Sequence, residues 1–371
     1  MMRLAKTLMF CMGLALFVGL GITTANAATS YTPIGGTTTI TKNLVVESDA
    51  NIPSITFGYT ITSGTPAAAT ATTVEILASD VDASIGQAAY DNSDTSSTIM
   101  GLPTDADPTH PTEGKKYAQK SVTVSFPNNS FTKPGVYRYI INESNGARPG
   151  VTYDATPRYL DVFVVADSND ELSIANCILR TSESSIKTDG TYTTDPDVKS
   201  SGYTNSVTQY DFSFSKAIAG NQGDKNKRFT FTLSVSNAIP GVYPLEVNDV
   251  TGTPQTITIG SDGTFSAAYN LTNGSSFKIL NLNKDAVCSV HEDAQDYTPS
   301  HSVDSGDSVG TANSGNITLA NSDHSVAFTN TREGIIPTGV LLTIAPFAIG
   351  IVLCAALIIF VMVKRRRAQY L

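Results

Sequence analysis

Tryptophan is absent, and the four cysteines leave little room for disulfides. Cys11 lies in an apolar N-terminal run and Cys354 in an apolar C-terminal run, so only Cys177 and Cys288 remain between them. A small exported domain stapled by disulfides carries more cysteines than this, in pairs. One cysteine in each half suggests packing rather than pairing. The four histidines (His110, His291, His301, His324) show no metal-ligand spacing such as His-Glu-x-x-His. There is no Gly-rich phosphate loop and no Gly-x-Ser-x-Gly elbow. No metal and no cofactor is expected, and a surface hydrolase finds no support. Basic residues are also scarce: setting aside Arg3, Lys6, Lys364, Arg365, Arg366 and Arg367 at the two ends leaves 18 against 33 acidic ones, a net charge of −15. That balance excludes nucleic acid and anionic membrane as partners.

The two ends carry what the middle lacks, long apolar runs. Arg3 and Lys6 precede an apolar stretch from Leu8 to Ile22, and Ala25-Asn26-Ala27 follows with small residues at alternate positions. Residues 1–27 read as a secretory signal peptide. At the other end, Gly339 to Val363 is uncharged and mostly apolar, and Lys364-Arg365-Arg366-Arg367 follows at once. That is long enough for a membrane span whose basic end stays in the cytoplasm. The 311 residues from Ala28 to Thr338 are therefore expected outside the cell, a length suited to about two domains.

No helical periodicity runs through this body. Short alternating stretches recur instead: "SVTVSF", "GVYRYII", "YLDVFVV", "RFTFTLSV", "HSVAFTN". They predict an all-β protein of antiparallel sandwich domains. "STIMGLPTDADPTHPTEGKK" reads as a loop, as does "SDVDASIGQAAYDNSDTSS", with room there for a short helix. "SESSIKTDGTYTTDPDVKSSG" reads as a loop or hairpin tip before a last strand. A weak internal repeat is visible, a Lys strand, then a Glu strand, then an Asn strand, twice over. The boundary between the copies falls between Asn205 and Lys216, giving domains 28–206 and 207–333, with 334–371 as the C-terminal signal, span and basic tail.

Strand side chains alternate between faces. On that rule Ile40, Lys42, Leu44 and Val46 share a face, as do Tyr137, Tyr139, Ile141 and Glu143, with Arg138 opposite. Tyr203, Asn205 and Val207 share another. The second copy groups Phe212, Phe214, Lys216 and Ile218, then Cys288, Val290 and Glu292, then Val326, Phe328 and Asn330. His291 falls on the side away from Glu292 and is expected to be exposed. Each copy thus places one Lys, one Glu and one Asn on otherwise apolar faces, where an unpaired charge costs several kcal/mol. Two readings are open. One is a buried Lys–Glu ion pair with a hydrogen-bonded Asn. The other is covalent. Burial drives Lys toward the neutral amine and Glu toward the acid. A neutral amine held against a carboxamide is a nucleophile at high effective molarity, and the acid can polarise the carbonyl and pass protons to departing ammonia. The product, a Lys–Asn isopeptide bond, carries no charge. It needs the first and last strands of a sandwich side by side and the Glu strand facing them, and it would substitute for the missing disulfides.

The ordered pieces "TITKNL", "FTKPGVYRYIINE", "PGVTYD", "YTNSVT", "FSFSK", "RFTFTL", "VHED", "VAFTN" and "IIPTG" resemble the Gram-positive major pilins with isopeptide-linked, immunoglobulin-like domains, specifically the streptococcal two-domain backbone pilin and its relatives. The resemblance implies bonds Lys42–Asn205 and Lys216–Asn330, assisted by Glu143 and Glu292. It implies that "IIPTG" is a sorting signal, cut between Thr338 and Gly339 by a pilin sortase. Pro337 directly precedes Thr338, unlike the common Leu-Pro-x-Thr-Gly form, which points to a dedicated pilin sortase. The acceptor on the next subunit is expected at Lys199, with Lys187 as runner-up. The chain is then no turnover enzyme but a pilus backbone subunit on a Gram-positive cell surface, ending on peptidoglycan. Its partners are the sortase, identical neighbours, minor pilins and a host or surface ligand. The alternative is a minor or basal pilin or a stand-alone cell-wall-anchored adhesin.

Overall fold

The computed structural model describes residues 32–79, 81–98, 114–127, 131–193, 199–248, 255–335 and 339–368. They form two tandem β-sandwiches, each built on its own apolar cluster. In the first, one sheet runs in the order Val151–Thr152, Gly202–Val207, Thr37–Glu47, Lys115–Ser125, Ser84–Ile85. The facing sheet runs Leu172–Arg180, Arg158–Ala166, Gly135–Glu143, Tyr59–Ser63. In the second, one sheet runs Thr256–Ile259, Gly241–Asn248, Ser276–Asn283, Gln209–Ala219, His324–Thr331, Thr298–Val303. Its partner runs Phe265–Leu271, Phe229–Ser236, Val287–Glu292, Ile317–Thr318.

The alternation read from the sequence is the alternation of burial. Ile40, Leu44 and Val46 are buried inward, with Tyr137, Tyr139 and Ile141 facing them from the other sheet. Phe212, Phe214, Val326 and Phe328 do the same in the second sandwich, opposite Cys288 and Val290. Both described body cysteines are free, with Cys288 buried and Cys177 half-buried. His291 is exposed.

In each sandwich the first and last long strands are neighbours and run parallel. Thr37–Glu47 pairs with Gly202–Val207, and Gln209–Ala219 pairs with His324–Thr331. Gly202 makes the first approach possible, because a Cβ there would meet the carbonyl oxygen of Thr41 at 1.7 Å.

The stretch read as the loop "SDVDASIGQAAYDNSDTSS" contains short strands instead, Ser84–Ile85, Ala88–Tyr90 and Ser96–Thr98. Ala88–Tyr90 pairs with Ile55–Phe57, and burial of Ala88 and Tyr90 draws this polar segment into the sandwich. "SESSIKTDGTYTTDPDVKSSG" does fold back on itself where described, with Ile186 bridged to Tyr192.

One residue, Thr208, separates the last strand of the first sandwich from the first strand of the second. The joint is packed. Ile239, from a turn of the second half, is buried in the first apolar cluster. Gln209 accepts from Glu47 N (3.1 Å) and donates to Asn281 O (2.7 Å). Asn281 Nδ2 donates to Asp49 (3.0 Å) and Asn51 Nδ2 to Val242 O (2.9 Å).

After the last strand, Asn221 holds Gly334 at both backbone groups: its Oδ1 accepts from Gly334 N (2.6 Å) and its Nδ2 donates to Gly334 O (2.9 Å). Beyond lies the helix Gly339–Ala368, 30 residues long with Pro346 inside it. Its described side chains run from Pro346 to Met362 and are mostly exposed. Among the described residues no helix is long and apolar enough to cross a membrane. The expected membrane span is thus not supported among these residues. The expected signal peptide, residues 1–27, lies outside the described residues.

Candidate functional site

The parallel strand pairs bring Lys and Asn together, and the facing sheet adds Glu. In the first sandwich Lys42 Nζ lies 2.5 Å from Glu143 Oε2, and neither side chain has any accessible surface. Asn205 Nδ2 donates to the other oxygen of the same carboxyl, Oε1. Asn205 Oδ1 accepts from the backbone N–H of Asp154 at 2.8 Å. The Lys42 ammonium sits 4.4 Å from the centre of the Phe57 ring. Two tyrosines brace the walls: Tyr90 donates to Lys42 O and Tyr203 to Ile141 O, each at 2.6 Å.

The second sandwich repeats the group. Lys216 Nζ lies 2.7 Å from Glu292 Oε1, again with no accessible surface on either side chain. Asn330 Nδ2 donates to Glu292 Oε1 at 2.8 Å. Lys216 packs over the Phe229 ring at 4.5 Å. Here Glu292 Oε2 and Asn330 Oδ1 have no hydrogen-bond partner among the described residues.

The electrostatics are alike. Burial pulls both lysines down from their ordinary 10.5 to about 8, with the facing Glu opposing in part. Burial raises both glutamates, with the facing Lys opposing. The low-dielectric surroundings thus disfavour charge on both partners at once. In one respect the geometry differs from the expectation. The carboxyl faces the nitrogen of each carboxamide, not its oxygen, so it stands where a proton is handed to a leaving amine rather than where a carbonyl is polarised.

The remaining sequence candidates fall elsewhere. Lys199 is exposed and bridged through its backbone to Arg180 at the sheet edge, and Lys187 is exposed on a turn and bridged to Thr73. Pro337 and Thr338 lie outside the described residues, and Gly339 opens the C-terminal helix. Among the described residues no group of three or more His, Cys, Asp or Glu could hold a metal ion.

A second buried polar group went unread in the sequence. Arg138, placed opposite Tyr137 and Tyr139, is buried and forked onto Asp161 at 2.6 and 2.9 Å. Its Nη2 also donates to Ser184 O at 2.6 Å, and Tyr192 donates to Asp161 at 3.0 Å. The segment around residues 184–192 covers this outer sheet face, so both faces are buried there. The available signal was Asp161 amid apolar residues in "YLDVFVV", directly opposite Arg138 in the ladder.

Residues 38–208 match the family described as the Spy0128-like isopeptide containing domain. Residues 210–332 match a domain of unknown function, DUF7601. A pilin of Streptococcus pyogenes serotype M1 is 27% identical over 261 residues, covering 66% of this chain and 72% of that protein. The chain is similar to the streptococcal pilins. The crystal structure of the major pilin from Streptococcus pyogenes aligns over 81% of this chain and 99% of its own, with a TM-score of 0.51 at 21% identity. The major pilin T3.2 from Streptococcus pyogenes serotype GAS13637 aligns over 80% and 98%, with a TM-score of 0.51 at 19% identity. The two-sandwich architecture is therefore shared with these pilins.

Proposed function

We propose that this chain is the structural backbone subunit of a covalently polymerised cell-surface pilus, with domains 28–206 and 207–333 each locked by one Lys–Asn isopeptide bond. The observation that carries the reading is the pair of buried triads, Lys42–Glu143–Asn205 and Lys216–Glu292–Asn330, at the same place in two successive sandwiches. A lone buried ion pair has a plain electrostatic account. Two such pairs, each with a carboxamide on the same carboxyl, support a common chemistry.

In that chemistry the lysine proton passes to the glutamate, leaving a neutral amine and a carboxylic acid. The amine Nζ attacks Asn Cγ. The Cγ–Nδ2 bond breaks as the carboxyl hands its proton to the departing nitrogen, the carboxylate so formed takes the second proton from Nζ, and one ammonia leaves per bond with the glutamate left as the acid. The product amide is neutral, so the desolvation cost of the ion pair disappears. The event happens once per domain, with no turnover.

A pilin sortase would then cut between Thr338 and Gly339 and join Thr338 to a lysine of the next subunit, Lys199 or Lys187. Minor pilins and peptidoglycan complete the assembly. Probing cell-wall extracts with an antibody to this chain tests the whole reading. A detergent-resistant ladder of rising mass is expected. A single band at subunit mass returns the chain to the stand-alone adhesin class.

A further inference from the structure

The two triads are alike in residues but not in what faces the Asn oxygen. In the first, the neighbouring strand Val151–Thr152 leaves the ladder, and the chain turns so that Asp154 N–H points at Asn205 Oδ1, 2.8 Å away. Arg158, buried, pins that turn. Its Nη2 donates to Asp154 Oδ2 (2.6 Å), its Nη1 to Thr156 O (2.7 Å), and its Nε to Gly202 O (2.9 Å) at the start of the Asn205 strand. The guanidinium also lies 4.6 Å from the Tyr203 ring centre. One side chain therefore locks the donor to the strand that carries the acceptor.

In the second sandwich the corresponding strand does not leave. Thr298–Val303 stays paired with His324–Thr331, and the residue opposite Asn330 is Pro299, which has no N–H. Asn330 Oδ1 accepts no hydrogen bond among the described residues.

We propose that the backbone N–H of Asp154 is an oxyanion donor for the Lys42–Asn205 reaction, positioned by Arg158, and that the Lys216–Asn330 reaction proceeds without an equivalent donor. The proposal rests on the cross-linking chemistry above. When Lys42 Nζ adds to Asn205 Cγ, the carbonyl electron pair moves onto Oδ1, and a preorganised N–H already stands there. Glu143 on the nitrogen and Asp154 on the oxygen then divide the two tasks between the two ends of the carboxamide. Collapse of the adduct restores the carbonyl and expels Nδ2 as ammonia. Loss of one such donor typically slows a carbonyl reaction by roughly 10²–10³-fold. The first bond should therefore close well before the second in the same molecule.

The test is to synthesise the full chain in a cell-free system and follow each cross-linked peptide by mass spectrometry against time. In the wild type, Lys42–Asn205 should appear first. Replacing residue 154 by its α-hydroxy analogue turns the donating N–H into an ester oxygen and leaves the side chain in place. This should slow the first bond by roughly 10²–10³-fold and leave the second unchanged. Asp154→Pro is the genetically encoded counterpart, and the ester variant decides the matter if that chain misfolds. Arg158→Lys should slow the first bond in the same direction, with the second bond as internal control. If the second bond closes first in the wild type, or the ester leaves the first rate unchanged, the donor assignment is overturned. If the wild type loses no ammonia at all, the cross-link reading itself fails, and that is visible before any variant is made.

Discussion

Asn205 is not the register partner of Lys42; it stands one pleat further on, opposite Leu44, with Tyr203 opposite Lys42. Asn330 stands in the same relation to Lys216, opposite Ile218, with Phe328 opposite the lysine. An offset of two residues is ~6.6 Å along a strand. That suits a long side chain lying along the strand and a short one rising to meet it. The carboxyl from the other sheet drops between them. Both triads are therefore set by the same register, and a slip of one residue would turn either Lys or Asn out to solvent.

If both bonds form, intact mass of the mature chain falls short of the calculated value by two ammonia losses. Glu143→Ala and Glu292→Ala should each restore one of them, and the double variant both. A shortfall that survives the double variant sinks the role given to the glutamates.

If formed, each bond would close a loop longer than about a hundred residues, for which chain-entropy arguments give roughly 4–5 kcal/mol of stabilisation. Asn330→Ala should therefore lower the melting temperature of the second sandwich well below that of wild type, by calorimetry. Unchanged melting would mean that no covalent closure was present to lose.

The pH dependence separates lysine from its neighbours. In an Asn205→Ala/Asn330→Ala chain the buried amines persist, drawn to about 8 from the ordinary 10.5. Between those values the unfolded chain binds more protons, so stability rises with pH and is lost as pH falls through 8. The raised glutamates act oppositely and at lower pH, since a raised carboxyl loses stability as pH climbs above its ordinary range. Tyr59, Tyr90 and Tyr203, raised by burial, subtract stability only above pH 10. Cys177 and Cys288, raised by burial from 9 to about 12, subtract stability above pH 9 in both chains alike, so from pH 8 to 10 the variant's melting temperature should rise relative to that of the wild type. Parallel curves would place the titration elsewhere.

Asp161→Ala leaves the Arg138 guanidinium buried without its carboxylate. Breaking such a pair from one side costs about 3–5 kcal/mol. A urea titration should show this, whereas Arg138→Met/Asp161→Leu should lie much closer to wild type.

Lys199→Arg should abolish the high-mass ladder while leaving folding and both ammonia losses intact. A ladder that persists moves the acceptor role to Lys187, tested in the same way.

Strand faces were legible because apolar alternation is dictated by burial, and a Lys or Asn on an apolar face announces itself. The triads needed nothing further. Arg138 and Asp161 were obscured for the complementary reason: the outer face of a sheet normally meets water, and only the covering segment around Tyr192 makes it interior. Ser84–Ile85 and Ala88–Tyr90 are too short and too polar to show periodicity, and pairing with partners far along the chain creates them. Asp154 lay beyond reach because its part is played by a backbone N–H, which every residue but proline possesses.

Thr208 alone separates the two sandwiches, and Ile239 plugs the seam. The seam between the two halves is thereby short and packed. In a fibre built from such chains, the joint between the two sandwiches would resist bending.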